Sequence, residues 1–262
     1  METILHYINL VLHVEPLRLL LYLAGLIMFV AANAAYLVLL ERKVAGHIQL
    51  RIGPKENGPF GLLQPLADGI KLMTKQLLTP SGIDPILFRI APVMVMVPAI
   101  MSFVVIPFSD SIVARNMDIG LLVVLAFATI NFLGLLLGAW GSRNKYAIMS
   151  AARVVSQNIA YEIPMLVTIV AIIMVSGSLN MHTIVSQQLG GFWQWNLLNI
   201  KASLLMPAAF LIMFICMLAE TNRAPFDLVE AESELVAGPF IEYSSMGFGL
   251  FFMAEYSNIV IG

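Results

Sequence analysis

Long apolar segments alternate with short polar ones along most of this chain. Each apolar segment holds about 18 to 24 residues, enough for a helix to cross the hydrocarbon core of a bilayer. Because backbone polar groups in lipid must be satisfied within the segment, these runs predict helices. The six predicted transmembrane helices cover Leu17–Leu40, Ile86–Phe108, Ile119–Trp140, Ile159–Ser176, Ala202–Ala219 and Ser245–Gly262. The sequence therefore predicts an all-α, polytopic membrane protein with one helical membrane domain over residues 1–262.

Lysine and arginine are concentrated in alternate loops between the predicted helices. The loops at 41–85, 141–158 and 220–244 hold ten of the 14 Lys and Arg residues, whereas the other two loops hold Arg115 and the boundary residue Lys201. Short cytoplasmic loops carry an excess of Lys and Arg in membrane proteins. The three basic loops are therefore predicted to be cytoplasmic, with the N-terminus on the outer side.

The first cytoplasmic loop contains a further helical pattern. Between Phe60 and Leu78, apolar residues recur near helical spacing, and Asp68, Lys71 and Lys75 stand between them. This pattern predicts an amphipathic helix. Its apolar face would lie in the membrane interface or against neighbouring protein, and the sequence leaves both interpretations open.

Composition narrows the possible functions. The chain is 60% hydrophobic and 11% charged, whereas soluble domains have roughly 25% charged residues. A net charge of −2 favours no nucleic-acid partner, and the single cysteine excludes an intrachain disulfide. No G-x-G-x-x-G or Walker loop indicates a nucleotide site, and no Cys or His pattern indicates zinc, haem or an iron–sulfur cluster. We therefore predict no metal site and no redox centre in this chain alone.

Acidic residues are clustered where an apolar chain least easily holds them. Six of the 16 acids fall within one segment, at Glu220, Asp227, Glu230, Glu232, Glu234 and Glu242. Glu255 lies about ten residues into the last predicted helix, roughly 15 Å deep, and Glu162 lies about one turn into the fourth. An acid near the bilayer centre costs roughly 2.5–3.5 kcal/mol, and such acids usually mark ion or proton pathways.

The depths of these acids predict a file of carboxyls from the cytoplasmic surface to the middle of the membrane. Its members are Glu162, Glu220, Glu230, Glu232, Glu234 and Glu255. The alternative for Glu162 and Glu255 is a structural hydrogen bond to Asn158 or Asn258, each at helical spacing from its acid. For the loop acids Asp227 and Glu242, a solvated or interface role is as plausible as a role in a proton relay.

Four sequence segments resemble one protein family. They are ERKVAGHIQLRIGPKENGPFGLLQPLADGIKL at Glu41–Leu72, YEIP around Glu162, AETNRAPFDLVEAESELVAG from Ala219, and FFMAEYSNI around Glu255. They resemble, in the same order, motifs of the H subunit of the bacterial NADH–quinone oxidoreductase, or respiratory complex I. The mitochondrial members are known as NADH dehydrogenase subunit 1. The resemblance extends over essentially the whole chain from about Leu17.

This resemblance implies a role that composition does not reveal. Members of the family form much of a quinone tunnel, next to an acidic path for proton coupling. By matched position, the tunnel and arm-junction residues would be Arg42, Arg51, Asp68, Lys71 and Arg223. The acidic path would comprise Glu162, Glu220, Glu230, Glu232, Glu234 and Glu255. The first span and the amphipathic helix would belong to the quinone portal.

The resemblance also implies partners and a location. No residue of this chain would be catalytic by itself: quinone would be the substrate, while FMN and iron–sulfur clusters would be held only by partner subunits. Those partners would be hydrophilic quinone-reducing subunits and antiporter-like membrane subunits, in the lipid of the bacterial cytoplasmic (inner) membrane. The family normally has eight spans, so the C-terminal part of that pattern is expected to be missing here. Ala231 and Ala237 replace the Gly and Ser of many relatives.

Three other functions remain open from the sequence. The related subunit of membrane-bound hydrogenases, or of other complex I-like oxidoreductases, shares the acidic loop and the R-x-G-P type loop. A stand-alone proton or cation transporter would need a continuous path to the outer side. The outer loops contain Asp110, Arg115 and Asp118, but no acid lies deep in the outer half of a predicted span. A purely structural anchor would leave the acids within the spans unexplained.

Overall fold

The computed structural model describes residues 15–109, 113–198, 205–227 and 237–261, and in these ranges the chain is helical without any strand. The helices are α1 Glu15–Ile48, α2 Gln64–Thr74, α3 Pro85–Ser102, α4 Gly120–Ser142, α5 Lys145–Ser176, α6 Met181–Ser186, α7 Met206–Glu220 and α8 Ser245–Ile261. Short 3₁₀ turns occur at Pro59–Gly61, Phe192–Gln194 and Gly238–Phe240. The predicted all-α fold class is confirmed for this part of the chain.

Four helices are long and apolar enough to cross a membrane. They are the Leu20–Ile48 part of α1, and α3, α4 and α5 in full. They correspond to the first four predicted spans. The fifth and sixth predicted spans overlap α7, with 15 residues, and α8, with 17. Residues 202–204 and 262 of those two spans lie outside the described ranges, so the count of six stays a prediction.

Capping groups mark where two of the central helices begin. The Asp84 side chain accepts hydrogen bonds from the backbone N–H groups of Ile86 and Leu87 at the start of α3. Asn144 does the same for Tyr146 at the start of α5, as short polar side chains commonly do at a helix N-terminus. Helix α5 therefore begins well before the predicted span at Ile159, because the apolar pattern marks the membrane-crossing part of a helix and not its first turn.

The chain falls into two compact units, Met1–Pro65 and Leu66–Gly262. In the first, the glycine-rich segment after α1 folds back on itself. Gly61 has φ +75°, and a Cβ there would lie 2.3 Å from the Pro54 carbonyl oxygen. Only glycine tolerates this combination of backbone conformation and close approach. The Lys43 ammonium also donates a hydrogen bond to the Phe60 carbonyl, which holds the segment against α1.

In the second unit, α4 packs against both α3 and α5, α7 packs against α5, and α8 packs against α3. Small residues allow the α3–α4 approach, since a Cβ at Gly134 would lie 2.6 Å from a methyl group of Val95. Such small residues are typical of helix contacts in membranes. At one end of the bundle, the Tyr243 ring stacks on Phe88 at 4.1 Å, and burial raises the pKa of its phenol. This bundle holds the acids of the candidate site.

Candidate functional site

Glu220, the last residue of α7, lies between two cavities inside the second unit. The first cavity, of about 40 Å³, is lined by Val95, Asn131, Phe132, Leu135, Glu220, Thr221, Asn222, Phe240, Phe251, Glu255 and Asn258. The second, of about 10 Å³, is lined by Leu125, Ala128, Thr129, Phe132, Asn158, Tyr161, Glu162, Met165, Cys216 and Glu220. Glu220 and Phe132 belong to both. The first cavity thus contains Glu255, the second contains Glu162, and Glu220 connects them.

In the first cavity, Glu255 is neutralised by an arginine from the loop that follows α7. A guanidinium nitrogen of Arg223 lies 3.2 Å from a carboxylate oxygen of Glu255, and both side chains are about three-quarters buried. The same guanidinium stands over the Tyr256 ring, 4.7 Å from its centroid. A cation in this position is attracted both by the carboxylate and by the face of the ring. Arg223 therefore supplies a fixed positive charge next to the first cavity.

In the second cavity, Glu162 accepts a hydrogen bond from a neighbouring helix. The Thr129 hydroxyl of α4 donates to a carboxylate oxygen of Glu162 on α5 at 3.1 Å. Asn158 lies one turn earlier on α5, is 5% exposed, and has no hydrogen-bond partner for either side-chain atom among the residues that the structure describes. Thr129, and not Asn158, is therefore the observed donor to Glu162.

One glutamine holds the acid-bearing loop against α5. The Gln157 side-chain nitrogen donates to the Ala219 carbonyl at 3.0 Å and to the Phe226 carbonyl at 2.9 Å. The Tyr161 and Phe226 rings meet edge to face, with centroids 5.0 Å apart. These contacts fix the chain on both sides of Arg223. The first of these carbonyls belongs to Ala219, the residue next to Glu220, so the end of α7 is anchored beside the two cavities.

The structure brings together four of the residues predicted for the site. Glu162, Glu220 and Glu255 line the two adjoining cavities, and Arg223 pairs with Glu255. Three other predicted members of the path, Glu230, Glu232 and Glu234, lie outside the described residues.

The other predicted residues lie elsewhere. Arg42 and Arg51 belong to the first unit and are exposed. Asp68 and Lys71 form an ion pair of 3.3 Å within α2. Of the two loop acids, Glu242 accepts a hydrogen bond from the Asn144 side chain at 2.8 Å. This contact holds Glu242 at the N-terminus of α5, and Glu242 lines neither cavity.

Sequence reasoning missed three polar residues of the site. Thr129 and Asn131 are polar side chains in the middle of a predicted apolar span, and that contrast could have identified them. Gln157 offered no such signal, because the two carbonyls that it binds lie 62 and 69 positions further along the chain. Within the described ranges, no three His, Cys, Asp or Glu side chains are grouped to hold a metal ion.

Known proteins resemble this chain over most of its length. The profile of the NADH dehydrogenase family matches residues 21–262. A protein of Desulfotalea psychrophila, named as the H subunit of NADH-quinone oxidoreductase, is 67% identical over 237 residues, which cover 89% of this chain and 71% of the relative. Proteins of the same name from Ruthia magnifica and Dehalococcoides mccartyi are 46% and 40% identical, with 87% and 93% of this chain covered. The chain spans 62% and 66% of the length of these two relatives.

Proposed function

Because the chain belongs to the NADH dehydrogenase family, we propose that it is the membrane-embedded H subunit of a proton-pumping NADH:quinone oxidoreductase. In this role it forms part of a quinone tunnel in the bacterial cytoplasmic membrane. The names of the similar proteins support the quinone enzyme over a hydrogenase-type relative. Its partners are hydrophilic quinone-reducing subunits, which hold the FMN and iron–sulfur clusters, and antiporter-like membrane subunits.

The observation that carries the proposal is the position of Glu220 in both cavities. A proton on Glu220 can be exchanged with groups on either side, towards Glu162 or towards Glu255. Quinone reduction at the junction with the hydrophilic arm would change the local charge, and the carboxyls would respond by shifting their protons. Close carboxyls resist simultaneous ionisation, so protonating one favours ionising another. Coupling between quinone chemistry and the membrane would pass through this group.

The sharpest test is Glu220→Gln in the assembled complex. Glutamine keeps the shape and hydrogen-bonding capacity of the side chain but cannot release a proton near neutral pH. We expect normal assembly with a fall of roughly 10²-fold in quinone reductase activity, the lower range for losing a positioned proton-transfer group. The measurements are NADH:quinone activity and pH-dye quenching in membrane vesicles.

Glu242→Gln is the matched control. Glu242 lies in the same predicted loop, residues 220–244, as Glu220. Its carboxylate oxygen accepts a hydrogen bond from the Asn144 side chain, and a glutamine oxygen can still accept that bond. We expect an assembled complex with nearly normal activity and pumping. An assembled Glu220→Gln complex that matches this control in both assays would rule out the proposed role of Glu220.

For the membrane arrangement, we propose six spans with α2 in the membrane interface. The alternation of Asp68 and Lys71 with the exposed residues Leu66, Ile70 and Met73 supports this location for α2. The end of α2 is held at the start of α8, because the single O–H of Ser245 is shared between the Leu72 and Lys75 carbonyls, whose oxygens lie 2.9 and 2.7 Å from Oγ. An interfacial α2 would therefore be anchored to the helix that carries Glu255.

We also propose that α1 contributes to the quinone portal. A bulky substitution on an exposed position of this helix should then narrow the portal. Ala32 is exposed and can carry a larger side chain. Ala34 is only 3% exposed, so a tryptophan there would clash with the residues around it. Ala32→Trp is expected to raise the apparent KM for quinone several-fold with little change in kcat, as measured by steady-state assays. A KM equal to that of Ala32→Leu would argue against a portal at this position.

A further inference from the structure

An uncharged segment at residues 177–198, here named the tryptophan segment, follows α5 and carries two of the three tryptophans of the chain. It contains no Lys, Arg, Asp or Glu, and His182 is its only residue with a titratable side chain. It comprises helix α6, a glycine bend at 190–191 and the 3₁₀ turn Phe192–Gln194. It belongs to a loop that is predicted to lie on the outer side of the membrane.

Hydrogen bonds hold the beginning of the tryptophan segment at the ends of two membrane-crossing helices. The Leu121 N–H, in the first turn of α4, donates to the Leu179 carbonyl at 3.1 Å. The Gln187 side chain donates to the carbonyl of Ser176, the last residue of α5, at 3.0 Å. Both α4 and α5 are long and apolar enough to cross a membrane. The segment is therefore held at the level where these two helices end.

Helix α6 is also packed against the start of α4. A Cβ at Gly120 would lie 2.6 Å from a methyl group of Val105 and 3.3 Å from Cγ of Met181, the first residue of α6. The glycine therefore makes room for the first turn of α6. The Asn180 side chain caps this turn, because its oxygen accepts a hydrogen bond from the Thr183 N–H at 3.2 Å.

The second half of the tryptophan segment folds back towards the end of α6. Gly190 has φ +129°, and a Cβ there would overlap the side-chain oxygen of Gln194. Only glycine tolerates this backbone conformation together with so close an approach. The Asn196 N–H donates to the side-chain oxygen of Gln188 at 3.2 Å. Both tryptophans lie between Gly190 and Asn196, so they are held near α6.

Although the tryptophan segment is held in place, its large apolar side chains are exposed. Trp193 is 71% exposed, Leu189 60%, Trp195 50% and Val185 48%. Removing a large apolar side chain from water stabilises by roughly 1.5–3 kcal/mol. Four such side chains on a segment without charged residues therefore indicate that its surroundings are partly apolar.

We propose that the tryptophan segment binds the phospholipid interface of the predicted outer leaflet, with the rings of Trp193 and Trp195 at the level of the lipid headgroups. Tryptophan favours this level because its ring is apolar, while its indole N–H can donate a hydrogen bond to a headgroup or to water. The Val185 and Leu189 side chains contact the adjoining part of the acyl chains. The segment thereby anchors the outer ends of α4 and α5 in the membrane.

The lack of charged side chains favours lipid over a protein partner. Tryptophan is also common in protein–protein contacts, but those contacts have a polar rim. The tryptophan segment has only amide, hydroxyl and imidazole side chains around its apolar residues. Its depth favours the same partner, because lipid headgroups surround the ends of membrane-crossing helices. A segment without Lys or Arg has no electrostatic preference for anionic lipids, so the expected ligand is a neutral phospholipid surface.

The test is Trp193→p-benzoylphenylalanine, a photo-reactive substitution, in the assembled complex. The new ring system is bulky and aromatic like indole, and position 193 is exposed, so we expect normal assembly. After illumination in native membranes, mass spectrometry of this subunit should detect phospholipid adducts and not cross-links to another protein. The adduct yield should be equal at low and high salt, because the contact involves no charged side chain.

Asn116→p-benzoylphenylalanine is the matched control. Asn116 is an exposed polar residue of the other predicted outer loop, next to Arg115. It should give several-fold fewer lipid adducts than position 193. Cross-links from position 193 to a protein subunit, a yield that falls at high salt, or lipid labelling no stronger than at position 116 would overturn the proposal.

A second measurement needs no variant. Cryo-EM maps of the unmodified complex in lipid nanodiscs reveal the boundary of the bilayer, and both indole rings should lie within its headgroup density. Rings that are covered by another protein chain, or that stand in water beyond this boundary, would contradict the proposal even if a variant failed to assemble. Both readouts are independent of quinone reductase activity, so a fully active Glu220→Gln complex would reject the proposed proton path and leave the lipid contact unaffected.

Discussion

Two ion pairs of nearly equal length stand in different parts of the second unit. Lys71 and Asp68 lie 3.3 Å apart on the same helix, and the Lys71 side chain is 67% exposed. Arg223 and Glu255 lie 3.2 Å apart on different elements, with side chains 27% and 21% exposed. The first pair joins neighbours that a helix would bring together anyway. The second joins the loop after α7 to the helix that completes the acid cluster.

The comparison shows that the length of an ion pair says little about its importance. A solvated pair one turn apart on a helix stabilises by a few tenths of a kcal/mol. Removing one partner of a buried pair leaves the other charge uncompensated, which costs about 3–5 kcal/mol. Burial and separation along the chain, rather than distance, therefore distinguish a local pair from one that organises a site.

The largest expected effect is that of Arg223→Met. It leaves the Glu255 carboxylate without its cation and removes the contact with the Tyr256 ring. We expect a loss of about 2–3 kcal/mol, below the full cost for a buried pair because about a quarter of the surface remains exposed. Thermal unfolding of the assembled complex measures it. Adding Glu255→Gln should recover part of the loss, and a double variant no better than the single one would contradict this account.

A smaller effect is expected from Gln157→Leu. Like Arg223, Gln157 joins segments that are far apart in the chain, but it does so through hydrogen bonds between uncharged groups. The Ala219 and Phe226 carbonyls would both lose their donor, at a cost of about 1–3 kcal/mol. Hydrogen exchange of the Thr221–Asp227 amides should increase. Ser156→Ala is the local counterpart, because the Ser156 hydroxyl binds Ala152 of its own helix. Equal exchange in the two variants would contradict the role of Gln157 as an anchor.

The smallest effect is predicted for Lys71→Met. Because Lys71 is mostly exposed and its partner is one turn away, the loss should stay below about 0.5 kcal/mol and vanish at high salt. Thermal unfolding with and without added salt measures it. A loss of unfolding free energy as large as that of Arg223→Met would contradict the distinction between the two ion pairs. It would show that Lys71 also contacts a partner subunit at the junction of the two arms.

Much of the helical architecture was predictable from the sequence, because it depends on local properties. The lengths of the apolar runs predicted the crossing parts of α1, α3, α4 and α5. The places of Glu162 and Glu255 along their helices were also predictable, because each lies within a long apolar run. The start of α5 was less predictable, since the Asn144 cap lies in a polar segment that resembles a loop.

The sequence by itself determined that the chain is a set of apolar helices with acids placed among them, and its motifs indicated the family. Only the tertiary structure decided that Glu162, Glu220 and Glu255 line adjoining cavities, and that Arg223 faces Glu255. The physical reason lies in the helices themselves. A helix such as α4, whose few polar residues form no continuous stripe, does not indicate in its sequence which side meets a neighbour. The rotation of each helix, and with it the direction of each acid, is decided by close packing at positions such as Gly134.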